Sequence, residues 1–108
     1  MIDKKSVKKL IAKLPDSPGV YFFKRGKEIL YIGKATSLRD RVRSYFSSDI
    51  TVTRGPLISK MLDQFDNIDF QKTDSVLEAL ILEAHLIKKH QPKANTMEKM
   101  TKALTLSL

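Results

Sequence analysis

The chain has 108 residues, which suffice for one small domain with a single hydrophobic core but not for two. Its 20 basic and 12 acidic side chains give a formal net charge of +8. This charge favours a polyanionic partner, and nucleic acid rather than membrane, because no long apolar run stands out. Cysteine is absent, which excludes disulfides and thiolate zinc sites. With neither a signal peptide nor a transmembrane segment, we expect a cytoplasmic protein.

The first predicted element is a short helix over residues 3–13. Apolar residues at helical spacing form its inner face, and lysines form the outer face. The helix ends before Pro15, where a rigid turn over residues 15–19 leads into a strand. Gly19 is expected to allow the unusual backbone conformation of a tight entry and to need no side chain. The inner face comprises Val7, Leu10, Ile11 and Leu14.

A β-hairpin is predicted around the short link Arg25-Gly26-Lys27. β-branched and aromatic residues flank this link, as is typical of strands joined by a tight turn. If the link is a three-residue loop, Tyr21 falls directly opposite Tyr31, and the two phenols share one face of the sheet. On spacing alone, a structural aromatic pair is the favoured interpretation, because tyrosine is common in strands for packing reasons.

A basic helix follows, with Thr36 or Ser37 as its N-cap. Its core-facing stripe includes Arg41, three residues after Leu38 and four before Tyr45. A guanidinium in this place needs either a carboxylate partner or a phosphate ligand, since burying an unpaired charge is costly. The other two arginines of the helix are expected on a solvated basic face and are candidate DNA contacts. They are Arg39 and Arg43.

The middle of the chain contributes structural elements. Residues 49–55 are predicted to be a mobile polar link, and Pro56 begins a second amphipathic helix. Apolar and polar residues alternate over residues 68–72, which predicts a third, half-exposed strand. Three strands therefore make a small sheet.

The last predicted element is a buried helix over residues 76–89, capped by Ser75 and Glu78. Glu83 shares a predicted apolar face with Val76, Leu80 and Ile87, so its carboxylate needs a cation. That cation is either Arg41 in a salt bridge or a divalent metal held by few protein ligands, and the residues alone leave both open. Beyond the helix, Asn95 is typical of a turn. His85 is expected to pack or to lie at the surface.

Four ordered segments resemble the GIY-YIG nucleases, and among them the N-terminal endonuclease domain of the excinuclease subunit UvrC. The paired signature is Gly19-Val20-Tyr21 with Tyr31-Ile32-Gly33. The resemblance extends through residues 14–24, 31–35, 38–46 and 80–95, and spans about residues 8–95 in order, which makes it specific.

The resemblance implies an α+β fold, a small three-stranded antiparallel sheet flanked by helices, in a nuclease domain over residues 1–95. It also implies one divalent metal, Mg²⁺ or Mn²⁺, used to hydrolyse a DNA phosphodiester bond. In the family this hydrolysis makes the 3′ incision of nucleotide excision repair. The implied partner is the UvrB–DNA complex, and no membrane is involved. Residues 96–108 form a divergent tail that departs from the family's continuation, so the chain is either a fragment or a short independent relative.

Site residues follow from the same resemblance, position by position. Glu83 resembles the metal ligand, Tyr31 the proposed general base, and Tyr21 the group that supports the attacking water. Arg41 would face the scissile phosphate. Further active-site positions that organise phosphate, water and hydrogen bonds are matched by Lys34, Tyr45 and Asn95.

Departures from the family pattern concern neighbours of the site. Ala94 replaces an aromatic residue, Gln91 a basic residue and His85 a polar amide. These replacements are expected to affect contacts with the substrate more than the catalytic step. Three alternatives therefore stand beside the repair nuclease: a non-catalytic basic DNA-binding module, a stand-alone GIY-YIG nuclease outside excision repair, and a protein-docking domain. The docking alternative depends on apolar residues of the tail, namely Met97, Met100 and Leu104.

Overall fold

A computed structural model describes residues 4–46, 56–92 and 94–95. The order of helices and strands agrees with the sequence prediction, whereas the expected mobile link over 49–55 and the tail over 96–108 lie outside the described residues. No helix among the described residues is long and apolar enough to cross a bilayer. The elements are α1 (Lys4–Ala12), β1 (Gly19–Arg25), β2 (Glu28–Ala35), α2 (Leu38–Ser44), α3 (Pro56–Leu62), β3 (Asn67–Lys72) and α4 (Val76–His90).

The three strands form one antiparallel sheet in the order β2-β1-β3, as predicted for this α+β fold. β1 is the central strand and carries the sequence GVYFFKR, whose apolar residues are covered on both faces of the sheet. β2 is an edge strand, so one side of its backbone is left without a neighbouring strand.

The predicted hairpin register, with Tyr21 directly opposite Tyr31, is wrong. Gly33 lies opposite Tyr21, and Phe23 lies opposite Tyr31. The turn is tighter than expected because Gly26 adopts a φ of 60°, which glycine tolerates. A bulge also interrupts the pairing of β1 with β2 between Phe23 and Lys24. The opposing residue thus shifts by two positions, so the two phenols still share one face of the sheet.

Helices cover the two faces of the sheet differently. On one face, Tyr21, Phe23 and Tyr31 pack with residues of α1, α2 and α3 in the larger core cluster. On the other face, Val20 and Ile32 pack against α4 through a smaller cluster. α2 and α4 therefore lie on opposite faces of the same sheet.

The prediction that α4 is a buried helix is wrong. Only Ala79 is fully buried on it, with Leu82, Leu86 and Ile87 partly buried against the sheet. Four apolar side chains at its N-terminal half are between 45% and 65% exposed, because α4 covers the sheet with one side only. They are Val76, Leu77, Leu80 and Ile81.

Candidate active site

The close approach of Tyr21 to Gly33 organises the centre of the site. A Cβ atom at Gly33 would overlap the ring and the hydroxyl of Tyr21, which crosses over the glycine. Gly19 is similarly enclosed, since a Cβ there would lie 2.5 Å from the Gln71 carbonyl oxygen and 2.8 Å from Leu38 Cδ1. Gly19 thus needs no side chain, as expected, but for lack of room rather than for an unusual conformation, since the positive φ among the described glycines is at Gly26. The reason for Gly33 depends on the register and was missed.

We expect Gly33→Ala to lower the free energy of unfolding by about 1–3 kcal/mol, because the added methyl group displaces the Tyr21 ring. Urea unfolding gives this change, and near-ultraviolet circular dichroism reports the tyrosine packing. Gly26→Ala is the matched control: its Cβ would meet nothing within 4 Å, so only the positive φ opposes it. An unchanged tyrosine spectrum in Gly33→Ala would contradict the assigned contact.

Three tyrosines form a cluster beneath α2. The Tyr21 and Tyr45 hydroxyls share a hydrogen bond of 2.5 Å, and both side chains are buried. The Tyr31 ring centroid lies 6.5 Å from that of Tyr21 and 6.4 Å from that of Tyr45. Burial is the main cause that raises the pKa of Tyr21 well above its usual value, and the neighbouring phenols raise it further. Tyr21 therefore stays neutral at physiological pH.

Arg41 is half-buried on α2, beside this cluster. Its positive charge lowers the pKa of Tyr21 and so opposes the larger effect of burial. In the part of the chain that the structure describes, no carboxylate lies within 4 Å of its guanidinium. The salt bridge to Glu83, one of the two expected alternatives, is not formed, since the two helices lie on opposite faces of the sheet.

Glu83 instead pairs with Lys34 of the edge strand. The Lys34 Nζ atom lies 3.8 Å from Glu83 Oε1, and the two side chains are 46% and 17% exposed. Lys34 is two residues from Ile32 on β2, so it points to the face that α4 covers. The sequence could have indicated this pair only if the sheet face to which the Lys34 side chain points had been known.

The donor set around Glu83 fits a hard divalent cation held mostly by water. Among the described residues, no group of three or more histidine, cysteine, aspartate or glutamate side chains could hold a metal. Magnesium commonly binds through one or two carboxylates and keeps several waters. A partly enclosed carboxylate outside any such described group therefore suits magnesium better than zinc, which requires a cluster of ligands.

Asn95 binds the free edge of β2. Its Oδ1 atom accepts from the Ile32 amide at 2.7 Å, and its Nδ2 atom donates to the Ile32 carbonyl at 2.8 Å. The side-chain amide thus replaces a neighbouring strand at the residue between Tyr31 and Gly33. The sequence interpretation of Asn95 as a turn residue missed this contact, which joins positions 63 residues apart.

The two flanking arginines of α2 differ in environment. Arg43 is exposed and lies 3.6 Å from Asp40 Oδ1, in a surface ion pair. Arg39 is half-buried, and its Nε atom donates to the Leu14 carbonyl at 2.9 Å. The expectation of a solvated face is therefore wrong for Arg39, because the end of α1 packs against α2.

β2 connects the two halves of the site. Its Tyr31 lies on the sheet face that α2 covers, the same face as Tyr21 of β1. Its Lys34 lies on the other face, beside Glu83 of α4. The remaining candidate, His85, is exposed, as one of the two expectations for it stated. A carboxylate, a guanidinium, an ammonium and several phenols are thus arranged around one edge strand, and together they suit a phosphate ester and a cation.

Comparison with known proteins finds similar chains. The profile of the UvrC-like GIY-YIG domain matches residues 17–96. The UvrABC system protein C of Natronomonas pharaonis is 44% identical over 105 residues, which cover 97% of this chain and 17% of that protein. Its counterpart in Thermus thermophilus is 46% identical over 86 residues, covering 80% of this chain and 14% of that protein. The chain therefore spans less than a fifth of the length of these relatives.

A similar structure is also known. It is the GIY-YIG N-terminal endonuclease domain of UvrC from Thermotoga maritima, bound to magnesium as its catalytic divalent cation. The TM-score is 0.73 at 35% sequence identity, and the match covers 86% of this chain and 98% of that one.

Proposed function

Because the chain belongs to the UvrC-like GIY-YIG domain family, we propose that it is a divalent-metal-dependent DNA endonuclease domain that hydrolyses a phosphodiester bond. The observation that carries this proposal is the partly enclosed Glu83 carboxylate beside the edge strand that holds Tyr31. A protein that only binds the DNA backbone needs exposed lysine and arginine, and has no use for such a carboxylate.

Glu83 is the residue that would hold the metal. When bound, Mg²⁺ or Mn²⁺ would stabilise negative charge on the phosphate oxygens and make a coordinated water more acidic. Lys34 neutralises part of the Glu83 charge in the structure described here. It would remain close enough to contact a phosphate that approaches the same edge of the sheet.

The other residues would divide the work on the opposite side of β2. Tyr31 would accept the proton of the attacking water as a phenolate, after its own proton has passed to solvent. Tyr21, which stays neutral, would orient that water or the Tyr31 side chain. Arg41 would face the scissile phosphate, because no described carboxylate within 4 Å competes for its guanidinium. Tyr45 would hold Tyr21 through the shared hydrogen bond, and Asn95 would hold the backbone beside Tyr31.

The cellular role follows from the relatives and is part of the proposal. We infer that the domain makes the 3′ incision of nucleotide excision repair and acts on a UvrB–DNA complex. A chromosomal DNA substrate also suits a cytoplasmic location. Since the chain spans only part of its relatives, a nuclease outside excision repair is the alternative to this role.

The proposal is tested by nicking of supercoiled plasmid DNA by the purified protein. We expect conversion to the open circle with Mg²⁺ or Mn²⁺ and none after a chelator is added. DNA binding without nicking in either metal would contradict the endonuclease and favour a non-catalytic DNA-binding module. A lesion-containing duplex with UvrB present then separates excision repair from other nuclease roles.

The arginines of α2 give a prediction about binding. Arg43→Ala should weaken binding to all DNA sequences and reduce the slope of log affinity against log salt by about one, as expected for one lost phosphate contact. Arg39→Ala should reduce the slope similarly and also lower the unfolding free energy by about 1–3 kcal/mol, because the Leu14 carbonyl loses its charged donor.

Fluorescence anisotropy at several salt concentrations and thermal melting provide the two measurements. Arg25→Ala is the charge-matched control, since Arg25 is exposed and lies at the far end of the hairpin. Unchanged slopes for both α2 variants would remove this helix from the DNA interface.

A further inference from the structure

α1 has a face of lysines turned away from the core. On its other side, Val7, Leu10 and Ile11 pack against the larger core cluster, which fixes the orientation of the helix. The lysines recur at intervals of three and four residues, so they form one stripe on the helix surface. This α1 lysine face consists of the exposed residues Lys5, Lys8, Lys9 and, just after the helix, Lys13.

Among the described residues, no carboxylate pairs with the α1 lysine face. α1 contains no acidic residue, and none of the carboxylates described by the structure lies within 4 Å of these ammonium groups. Elsewhere in the described chain, four basic side chains each lie within 4 Å of a carboxylate. Like charges at this spacing repel one another and weaken the helix, and bound anions would relieve the repulsion.

Contacts between backbone segments join this face to the DNA-binding helix proposed above. The start of α2 is tied to the loop after α1, because the Leu38 amide donates to the Ser17 carbonyl at 2.9 Å and the Arg39 amide donates to the Pro15 carbonyl at 3.2 Å. α1 and α2 therefore lie in one layer on the same side of the sheet. A membrane is a poor partner, because the apolar side of α1 is already packed and cannot insert into lipid.

We propose that the α1 lysine face binds the phosphate backbone of DNA outside the segment that is cut, as an extension of the α2 surface. From Lys5 to Lys13 the stripe is about 12 Å long at helical rise, and this length of duplex axis carries about three to four phosphates on each strand. α1 lies before residues 17–96, which the family profile matches and which hold all the candidate site residues. The inference rests on the proposed function, since it requires a DNA substrate.

The test compares two double variants of the full chain with a short labelled duplex and with supercoiled plasmid. Lys5→Gln/Lys9→Gln removes two charges from the α1 lysine face, and glutamine preserves helix propensity. Lys88→Gln/Lys89→Gln is the matched control, because it removes the same charge from exposed positions on α4, across the sheet. Anisotropy in chelator gives affinity against salt, and nicking in Mg²⁺ gives activity.

We expect the α1 variant to bind roughly tenfold more weakly near physiological salt and to lose about two from the salt slope, with the control changing by less than half as much. Its melting temperature at low salt should be unchanged or higher, because the removed charges repelled one another. Equal losses of DNA affinity in both variants, or no loss in the α1 variant, would overturn the inference. The proposed function would be unaffected by that result as long as the wild type nicks DNA. Failure of the wild type to bind or nick DNA would instead overturn the proposed function.

Discussion

Glu83→Gln is expected to lower single-turnover nicking by about 10³-fold or more. The metal supplies several kcal/mol of charge stabilisation, and each ~1.4 kcal/mol changes the rate tenfold. Glutamine keeps the size of the side chain but removes the charge that a hard cation requires. The ion pair with Lys34 is long, at 3.8 Å, and partly exposed, so its loss should lower the unfolding free energy by no more than about 1 kcal/mol.

Metal binding and melting temperature separate these two roles of Glu83. Calorimetric titration with Mn²⁺ should show binding by the wild type and none by Glu83→Gln. Glu78→Gln is the matched control on the same helix, because the exposed Glu78 carboxylate accepts from the Asp74 amide at the helix N-terminus. If Glu83→Gln nicked at the wild-type rate but melted several degrees lower, the metal assignment would be lost and the ion pair with Lys34 would be the role that remains.

Tyr31→Phe is expected to lower single-turnover nicking by ~10²–10⁴-fold, as is typical of losing a general acid–base group. The substitution removes one hydroxyl and preserves the ring that packs 6.4 Å from Tyr45, so DNA binding and most of the stability should remain. Tyr21→Phe should cost less activity, and it should also lower the stability, because it removes the hydroxyl that bonds Tyr45 in a buried place.

The pH dependence of nicking distinguishes the two phenols. The pKa of Tyr21 is raised above its usual value, so Tyr21 remains protonated through and beyond the neutral range and contributes no rise in rate there. A rise in rate with pH that disappears in Tyr31→Phe but persists in Tyr21→Phe would agree with Tyr31 as the proton acceptor. Near wild-type nicking rates for Tyr31→Phe would indicate that both tyrosines serve only in packing. A larger loss of nicking in Tyr21→Phe than in Tyr31→Phe would indicate that Tyr21 is the proton acceptor and Tyr31 the orienting group.

Local features of the fold were predictable from the sequence because they depend on residues a few positions apart. Both helix N-caps are confirmed: Ser37 Oγ accepts from the Asp40 amide at 3.3 Å, and Ser75 Oγ accepts from the Glu78 amide at 3.1 Å. The start of α3 at Pro56 and the third strand were likewise predicted from local pattern. Periodicity and capping act within one or two turns of chain, so no tertiary information is needed to recognise them.

The contacts that shape the candidate site were decided by the tertiary structure. The tighter turn and the bulge between β1 and β2 together replaced the Tyr21–Tyr31 pairing with Tyr21 over Gly33. Strand order left β2 at the edge, where Asn95 binds Ile32. Which face α4 covers decided that Glu83 meets Lys34 rather than Arg41.

The sequence by itself determined which chemical groups the chain carries and which local elements hold them. Only the folded structure decided which of those groups meet. The physical reason is that periodicity reports a residue's neighbours along its own helix or strand, whereas contacts between elements depend on register, bulges and the choice of sheet face. A shift of one residue in any of these would exchange one set of partners for another.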